Sequence, residues 1–298
     1  MFKVHKISQN GFSFLELKNS DESSIARISL NEGGRLQEFT FNNIEIVKDI
    51  LNFEYKNSYA SAILFPFANR IENGKYIFND EKHQFKCNEG EGKNALHGLV
   101  YNKEFQLKEE EIKVDKCAVM LCYQENKKIK GFPFTYAIYA TYTLTKEGLS
   151  LSIKVKNTDT NSFPFTLGWH PYFFCEDLHN SSLNFASDKK IAFDKNLITK
   201  EIVAYKATSV FKIEDKQLDD CFILENNKID FNTAKYQLEI TSNVKENFLQ
   251  MYTPKGLPLI AIEPMTGVSN SLNNKIGLQV LEPNTSYSLT WNVKINNN

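Results

Sequence analysis

Leu149-Ser150-Leu151-Ser152-Ile153-Lys154-Val155-Lys156 alternates apolar and polar side chains without a break. In an extended chain, successive side chains point to opposite faces. Leu149, Leu151, Ile153 and Val155 therefore share one face, and Ser150, Ser152, Lys154 and Lys156 the other. That is the pattern of a strand with one buried side. It returns near the other end of the chain. There Tyr287, Leu289, Trp291, Val293 and Ile295 alternate with Ser288, Thr290, Asn292 and Lys294. Similar segments open at Phe12, Tyr136 and Tyr236. Helical periodicity is scarce; its best case, a weak one, spans Asn52 to Leu64. Turn clusters separate the strand-like runs: Asn31-Glu32-Gly33-Gly34, Asn73-Gly74, Asn88 to Asn94, Lys146-Glu147-Gly148, Thr158 to Ser162 and Pro254-Lys255-Gly256. Many antiparallel strands joined in this way predict an all-β sandwich. Phe-Pro-Phe at 65–67, 132–134 and 163–165 reads as a set of proline-led strand entries. No linker or composition shift divides the chain, so one domain over residues 1–298 is expected.

Composition narrows the class of function. The formal net charge is −1 and the charges are dispersed. Neither a nucleic-acid nor a membrane partner is implied. The start, Met1-Phe2-Lys3-Val4-His5-Lys6, has no apolar stretch to serve as a signal peptide, and no window is long and apolar enough to span a bilayer. The cysteines, Cys87, Cys117, Cys122, Cys175 and Cys221, are odd in number and show no paired Cys-x-x-Cys spacing. Reduced thiols in a cytoplasmic protein are the expectation.

Cofactor signatures are missing. There is no dinucleotide fingerprint, and Gly90-Glu91-Gly92-Lys93-Asn94 has the wrong spacing for a phosphate loop. No histidine pair has zinc-ligand spacing, and Gly-x-Ser-x-Gly is absent. Proton transfer by side chains is the chemistry that remains. Its best candidate is in Thr166-Leu167-Gly168-Trp169-His170-Pro171-Tyr172-Phe173-Phe174. Pro171 restricts the residue before it to extended backbone, and an imidazole held there can move a proton near neutral pH. Other polar residues sit where apolar runs stop: Arg70 after Leu64-Phe65-Pro66-Phe67-Ala68-Asn69, His97 between Leu96 and Gly98, Asp219 and Asp220 after Leu218, and Glu263 after Leu257 to Ile262. A carboxyl at the end of an apolar strand is partly desolvated, which raises its proton affinity and suits a general base. Taken singly, each also fits a structural role. His170 fits a satisfied core histidine, Arg70 a turn or a pair with Glu72, and Asp219-Asp220 a turn cap. His97 fits a turn residue and Glu263 a salt-bridged strand end.

As an ordered set, these segments resemble the galactose mutarotase (aldose 1-epimerase) family. The matching stretches are Asn69-Arg70-Ile71 with Gly74 and Phe78, Leu96-His97-Gly98, Gly131-Phe132-Pro133, Gly168-Trp169-His170-Pro171-Tyr172-Phe173, Leu218-Asp219-Asp220-Cys221-Phe222, and Glu263-Pro264. They span most of the chain. The resemblance implies a large twisted antiparallel β-sandwich of the galactose mutarotase type, with a sugar cleft on its concave face. It implies Glu263 as general base and His170 as general acid. It implies that Arg70, His97 and Asp219 bind sugar, with Asn69 as an addition. Asp219 is taken as the ligand contact over Asp220. Trp169 stands where the family usually has Asn, and a sugar face is expected to stack on Trp169 or a nearby Phe.

The activity so implied is anomer exchange of a free aldohexose, with no metal, nucleotide or redox cofactor. Two rivals accompany it. An epimerase of hexose 6-phosphates would need converging cations, and Arg27, Arg35 and Arg70 form no evident pair in the sequence. A non-catalytic sugar-binding protein would not need both an acid and a base. Monomer and homodimer are both compatible with the sequence.

Overall fold

The computed structural model describes residues 1–50, 53–90, 93–206, 210–244 and 247–297. The alternating runs become strands. Gly148–Asn157 buries Leu149, Leu151, Ile153 and Val155 and leaves Lys154 and Lys156 exposed. It pairs antiparallel with Ser286–Asn297, Leu151 opposite Trp291 and Ile153 opposite Leu289. These two strands lie within a nine-stranded sheet. Its order is Gln106–Ile112, Lys116–Glu125, Tyr136–Thr145, Gly148–Asn157, Ser286–Asn297, Tyr236–Ser242, Lys228–Asn232, Ser182–Phe185 and Phe211–Lys212.

An eight-stranded sheet faces it. The order is Thr199–Ala204, Lys189–Phe193, Asp219–Ile223, Phe248–Tyr252, Leu259–Met265, Gly168–Trp169 and Ile63–Leu64, with Tyr172–Phe174 also on Leu259–Met265. The two sheets share one core. Trp169 from the second stacks on Trp291 from the first, ring centroids 6.3 Å apart, and Leu249, Met251, Ile260, Ile262 and Phe173 belong to the same buried cluster as Leu151, Ile153 and Leu289. This is a large antiparallel β-sandwich, closed by the apolar face that each sheet must remove from water. A five-stranded antiparallel sheet, Lys3–Gln9 through Ile44–Val47, adds Leu15, Leu17, Ile28 and Phe39 to that cluster.

Regular helix among the described residues is confined to the single turns Tyr55–Ser58 and Ser271–Asn274 and the 3-10 turn Glu72–Gly74. The weak helical run expected over Asn52 to Leu64 reduces to the first of these, since Ile63–Leu64 is a strand and residue 52 lies outside the described residues. One of the Phe-Pro-Phe readings is corrected. Phe163–Phe165 is itself a strand and residues 132–134 lead into the strand Tyr136–Thr145, but residues 65–67 follow the strand Ile63–Leu64. A proline contributes no N–H to a ladder and ends pairing as readily as it starts it. All five cysteines carry free thiols. No helix among the described residues is long and apolar enough to cross a membrane.

Candidate active site

The outer face of the eight-stranded sheet carries the candidate residues, and strand register puts them there. Leu259–Met265 pairs with Phe248–Tyr252, which pairs with Asp219–Ile223. Gln250 lies opposite both Glu263 and Cys221, and Tyr252 opposite both Ala261 and Asp219. On the other side Tyr172 lies opposite Ala261 and Gly168 opposite Met265. Residues opposite each other share a face, and faces alternate along a strand. Asp219, Gln250, Tyr252, Glu263, His170 and Tyr172 therefore point outward, while Phe222, Leu249, Met251, Ile262 and Trp169 point into the core.

That parity overturns one expectation. Trp169 is 1 % exposed and stacked on Trp291, so no sugar can lie on it. His170 directly follows Trp169, and a single step along an extended chain reverses the direction of the side chain. The aromatic rings that do line the cleft are Tyr59, Tyr172 and Tyr252.

Glu263 is likewise not a strand end, because Leu259–Met265 runs through Pro264. The neighbouring chain explains how a proline is tolerated there. The Ile262 N–H donates to Pro171 O and the Thr266 N–H to Leu167 O. Pro264 falls between them, where the neighbour breaks between Gly168–Trp169 and Tyr172–Phe174. The missing N–H of Pro264 falls where that pairing is interrupted. On its other side His170 stays paired, its N–H donating to Ala62 O at 3.1 Å and its O accepting the Ser61 N–H at 2.7 Å.

Across the cleft, Arg70–Ile71 pairs with Ala95–Leu96. Asn69 and His97 flank this two-residue ladder, both with left-handed backbone at φ 57° and 59°. The His97 N–H donates to Asn69 O at 2.9 Å. Strained backbone of this kind concentrates at functional sites. The next residue, Gly98, sits at φ +76°, and a Cβ there would lie 2.2 Å from Phe65 O. Only glycine lets the chain pass so close to Phe65 and aim His97 at the sheet.

The result is a cavity of about 330 Å³ lined by Asn69, Arg70, His97, His170, Asp219 and Glu263, with Gln250 and three tyrosines. All six residues singled out from the sequence meet there. Asp220 does not. It turns away and pairs with Lys190, as its place next to Asp219 on a strand requires. Arg70 pairs with Glu89, Nε to Oε1 2.5 Å, and not with Glu72.

A chain of hydrogen bonds fixes the polar floor. The Asn94 Nδ2 donates to Glu89 at 2.8 Å, and Arg70 donates to Glu89 and, through Nη1, to Asn69 Oδ1 at 3.0 Å. Asn69 Nδ2 donates to Gln250 Oε1 at 3.3 Å, and Gln250 Nε2 donates to Asp219 Oδ1 at 2.7 Å. Gln250 and Glu89 were not anticipated from the sequence. Gln250 had a signal, a single amide in the apolar run Phe248-Leu249-Gln250-Met251-Tyr252. Glu89 had none, being one acid in a polar loop.

Glu263 and His170 form the buried centre. Their side chains are 3 % and 6 % exposed, with Oε1 and Nε2 3.4 Å apart. Burial pushes the Glu263 carboxyl well above the usual carboxylate range, and the Asp219 charge adds to the push. Burial also lowers the His170 imidazole to about 4. His97 is lowered well below its ordinary value by burial, then by His170 and Arg70. Burial raises Asp219, with Arg70 opposing. Both members of the central pair thus favour their neutral forms, and together they hold one proton. Glu263 Oε2, His170 Nδ1 and His97 Nδ1 are buried without a hydrogen-bond partner in the protein. Three such atoms in one cleft are costly in a folded chain, and they mark a place built to receive polar groups. Tyr172 stacks on His170 at 5.0 Å and His97 packs edge-on to it at 4.9 Å, holding the ring in place. No cluster of three or more His, Cys, Asp or Glu side chains suited to a metal ion occurs among the described residues.

Comparison with known proteins agrees with this architecture. A protein of Escherichia coli named uncharacterized protein YihR is 26 % identical over 273 residues, covering 88 % of this chain and 87 % of its own. LacX of Lactococcus lactis is 24 % identical over 239 residues, covering 74 % and 77 %. Among solved structures, a galactose mutarotase-like protein from Clostridium acetobutylicum superposes with a TM-score of 0.89 at 20 % identity, covering 100 % of this chain and 99 % of that one. Galactose 1-epimerase from Lactobacillus acidophilus gives 0.81 at 16 % identity, with 100 % and 99 % covered. At such identities the structural likeness speaks for the fold. The family description "Aldose 1-epimerase" matches residues 14–294, nearly the whole chain, and the protein belongs to the aldose 1-epimerase family.

Proposed function

We propose that the protein is a mutarotase that interconverts the α and β anomers of a free aldohexose. One observation carries the reading. A carboxyl and an imidazole, both buried, stand 3.4 Å apart in a cleft where Glu263 Oε2, His170 Nδ1 and His97 Nδ1 lack protein partners. Binding alone does not need an acid and a base side by side.

The chemistry moves protons only. Glu263 takes the proton of the C1 hydroxyl while His170 gives one to the ring oxygen, and the hemiacetal C–O bond breaks. The C1–C2 bond of the open aldehyde turns, and closure on its other face gives the other anomer. Ring opening starts with the charged pair, carboxylate and imidazolium, and ends with the neutral pair. Closure starts from the neutral pair and restores the charged one. The pair carries one proton throughout, and the two forms differ by a transfer over 3.4 Å. Burial favours the neutral form, and the charged form that begins ring opening is reached from it by that one transfer, with no change in the total charge of the pair. Acid or base help of this kind contributes roughly 100- to 10,000-fold. Asp219 and Asn69 accept or donate hydrogen bonds to hydroxyls, and Arg70 and His97 add donors where negative charge gathers on oxygen.

A hexose 6-phosphate is the less favoured substrate. Arg35 is locked to Glu32 and Asp49, and Arg27 lies over the Phe14 ring. Arg70 alone among Lys and Arg lines the described cleft, already paired with Glu89.

The test is anomer exchange followed by NMR against the spontaneous background, with a panel of aldoses. Glu263→Gln and His170→Asn should each lower kcat by about 100-fold or more while sugar affinity stays within a few fold. Wild-type exchange rates in both folded variants would leave a sugar-binding protein in place of an enzyme.

A further inference from the structure

We infer that Glu89 is a specificity-determining residue: it neutralises Arg70 and so makes the cleft select uncharged sugars over anionic ones. The inference rests on the sugar-binding role proposed above for the cleft and goes beyond it to the charge of the substrate. Arg70 is the one permanent cation lining the described cleft. Its guanidinium is committed on two sides, Nε to Glu89 Oε1 at 2.5 Å and Nη1 to Asn69 Oδ1 at 3.0 Å. Glu89 is held for this contact. Asn94 donates Nδ2 to its second oxygen at 2.8 Å while accepting the Asn73 N–H at 3.1 Å. The Glu89 N–H is tied to Asn94 O at 3.2 Å. Asn94 is itself buried, so the carboxylate is fixed at both ends.

The charge balance then decides. With Arg70 paired, Asp219 faces the ligand without a free cation beside it. A carboxylate or phosphate entering the cleft meets like charge at Glu89 just where it would seek Arg70. Juxtaposed like charges are a strong means of rejecting a wrong partner. A hydroxyl pays no such penalty and still finds the remaining guanidinium donors. Without the Glu89 charge, the same Arg70 would present the fork geometry that suits a carboxylate or phosphate.

Galactose and galacturonate serve as probes, because they differ only in the group at C6. Glu89→Gln removes the charge and keeps an oxygen for Arg70, though its amide then meets the Asn94 amide. Glu89→Ala removes both groups and has no such clash. In either variant the kcat/KM of galacturonate relative to galactose should rise at least about tenfold, and the rise should shrink in 0.5 M salt. A ratio cancels any loss of folded protein. The ratio of dissociation constants for the two sugars, measured by calorimetry, should move in the same direction without any need for turnover. An absence of turnover by the unaltered protein would therefore count against the mutarotase reading, while the affinity ratio still judges Glu89. Ratios unchanged or lowered in both variants would overturn the role of Glu89.

Discussion

His170→Asn should flatten the acid side of the stability curve. The imidazole is buried, and burial lowers its pKa from 6.5 to about 4. A depressed histidine binds its proton less well in the fold than in the unfolded chain. Its contribution to stability is whole above the unfolded value of 6.5 and is lost as the pH falls through that value toward about 4. At about 1.36 kcal/mol per pKa unit, the full span amounts to about 3 kcal/mol, of which about 2 kcal/mol is gone by about pH 5. Asparagine does not titrate. Urea unfolding of both proteins at pH 7.5 and pH 5 should therefore show the wild type losing about 2 kcal/mol more than the variant. Taking the difference of the two losses cancels the other carboxylates. Parallel losses would mean that His170 titrates as if wet. A larger loss in the variant would mean that the folded chain prefers the imidazolium, facing an ionised Glu263. The resting pair would then be the charged one, and the neutral resting state argued above would be wrong.

Glu263→Gln should behave in the opposite sense. The raised carboxyl contributes stability below about pH 4.5 that is lost as pH rises through the folded value. The variant should accordingly gain on the wild type between pH 5 and pH 8 in the same urea assay, even as its activity falls; a constant offset would show that the carboxyl is not held protonated by the fold. Asp219→Asn should raise KM by about tenfold, the scale of one lost charge-assisted hydrogen bond, whereas Asp220→Asn should change it less than about twofold, since its partner Lys190 is part of a partly exposed pair; equal effects would contradict the strand parity. Gly98→Ala places a Cβ 2.2 Å from Phe65 O at φ +76°, so thermal unfolding should show destabilisation of about 2 kcal/mol or more; a neutral result would mean that the His97 turn is not fixed against Phe65.

The sandwich was legible because a strand's period is visible in one dimension. Leu149 to Val155 and Leu289 to Ile295 alternate strictly, and a buried face leaves them no other arrangement. The six cleft residues were also legible, as polar residues interrupting apolar runs and as matches to a family's ordered motifs. The direction of each side chain was less so. Trp169 or a nearby Phe was the expected stacking surface, whereas Trp169 lies in the core and the cleft rings are tyrosines; Glu263 was expected at a strand end and lies inside one.

The sequence by itself determined the alternation, the turns and which residues carry protons. Each of these is set by neighbours within a few positions, through backbone geometry and side-chain chemistry. Only the tertiary structure decided what those residues do to each other. Glu263 and His170 acquire their shifted proton affinities from burial and from a contact across 93 positions (263 − 170). Gln250 gains its place as a bridge because the sheet sets Asp219 on one side of it and the turn before Arg70–Ile71 brings Asn69 to the other. Glu89 meets Arg70 only because the neck of its loop closes onto Asn94. Desolvation and charge pairing depend on what lies within a few ångströms, and for these residues that distance is set by the folded sheets.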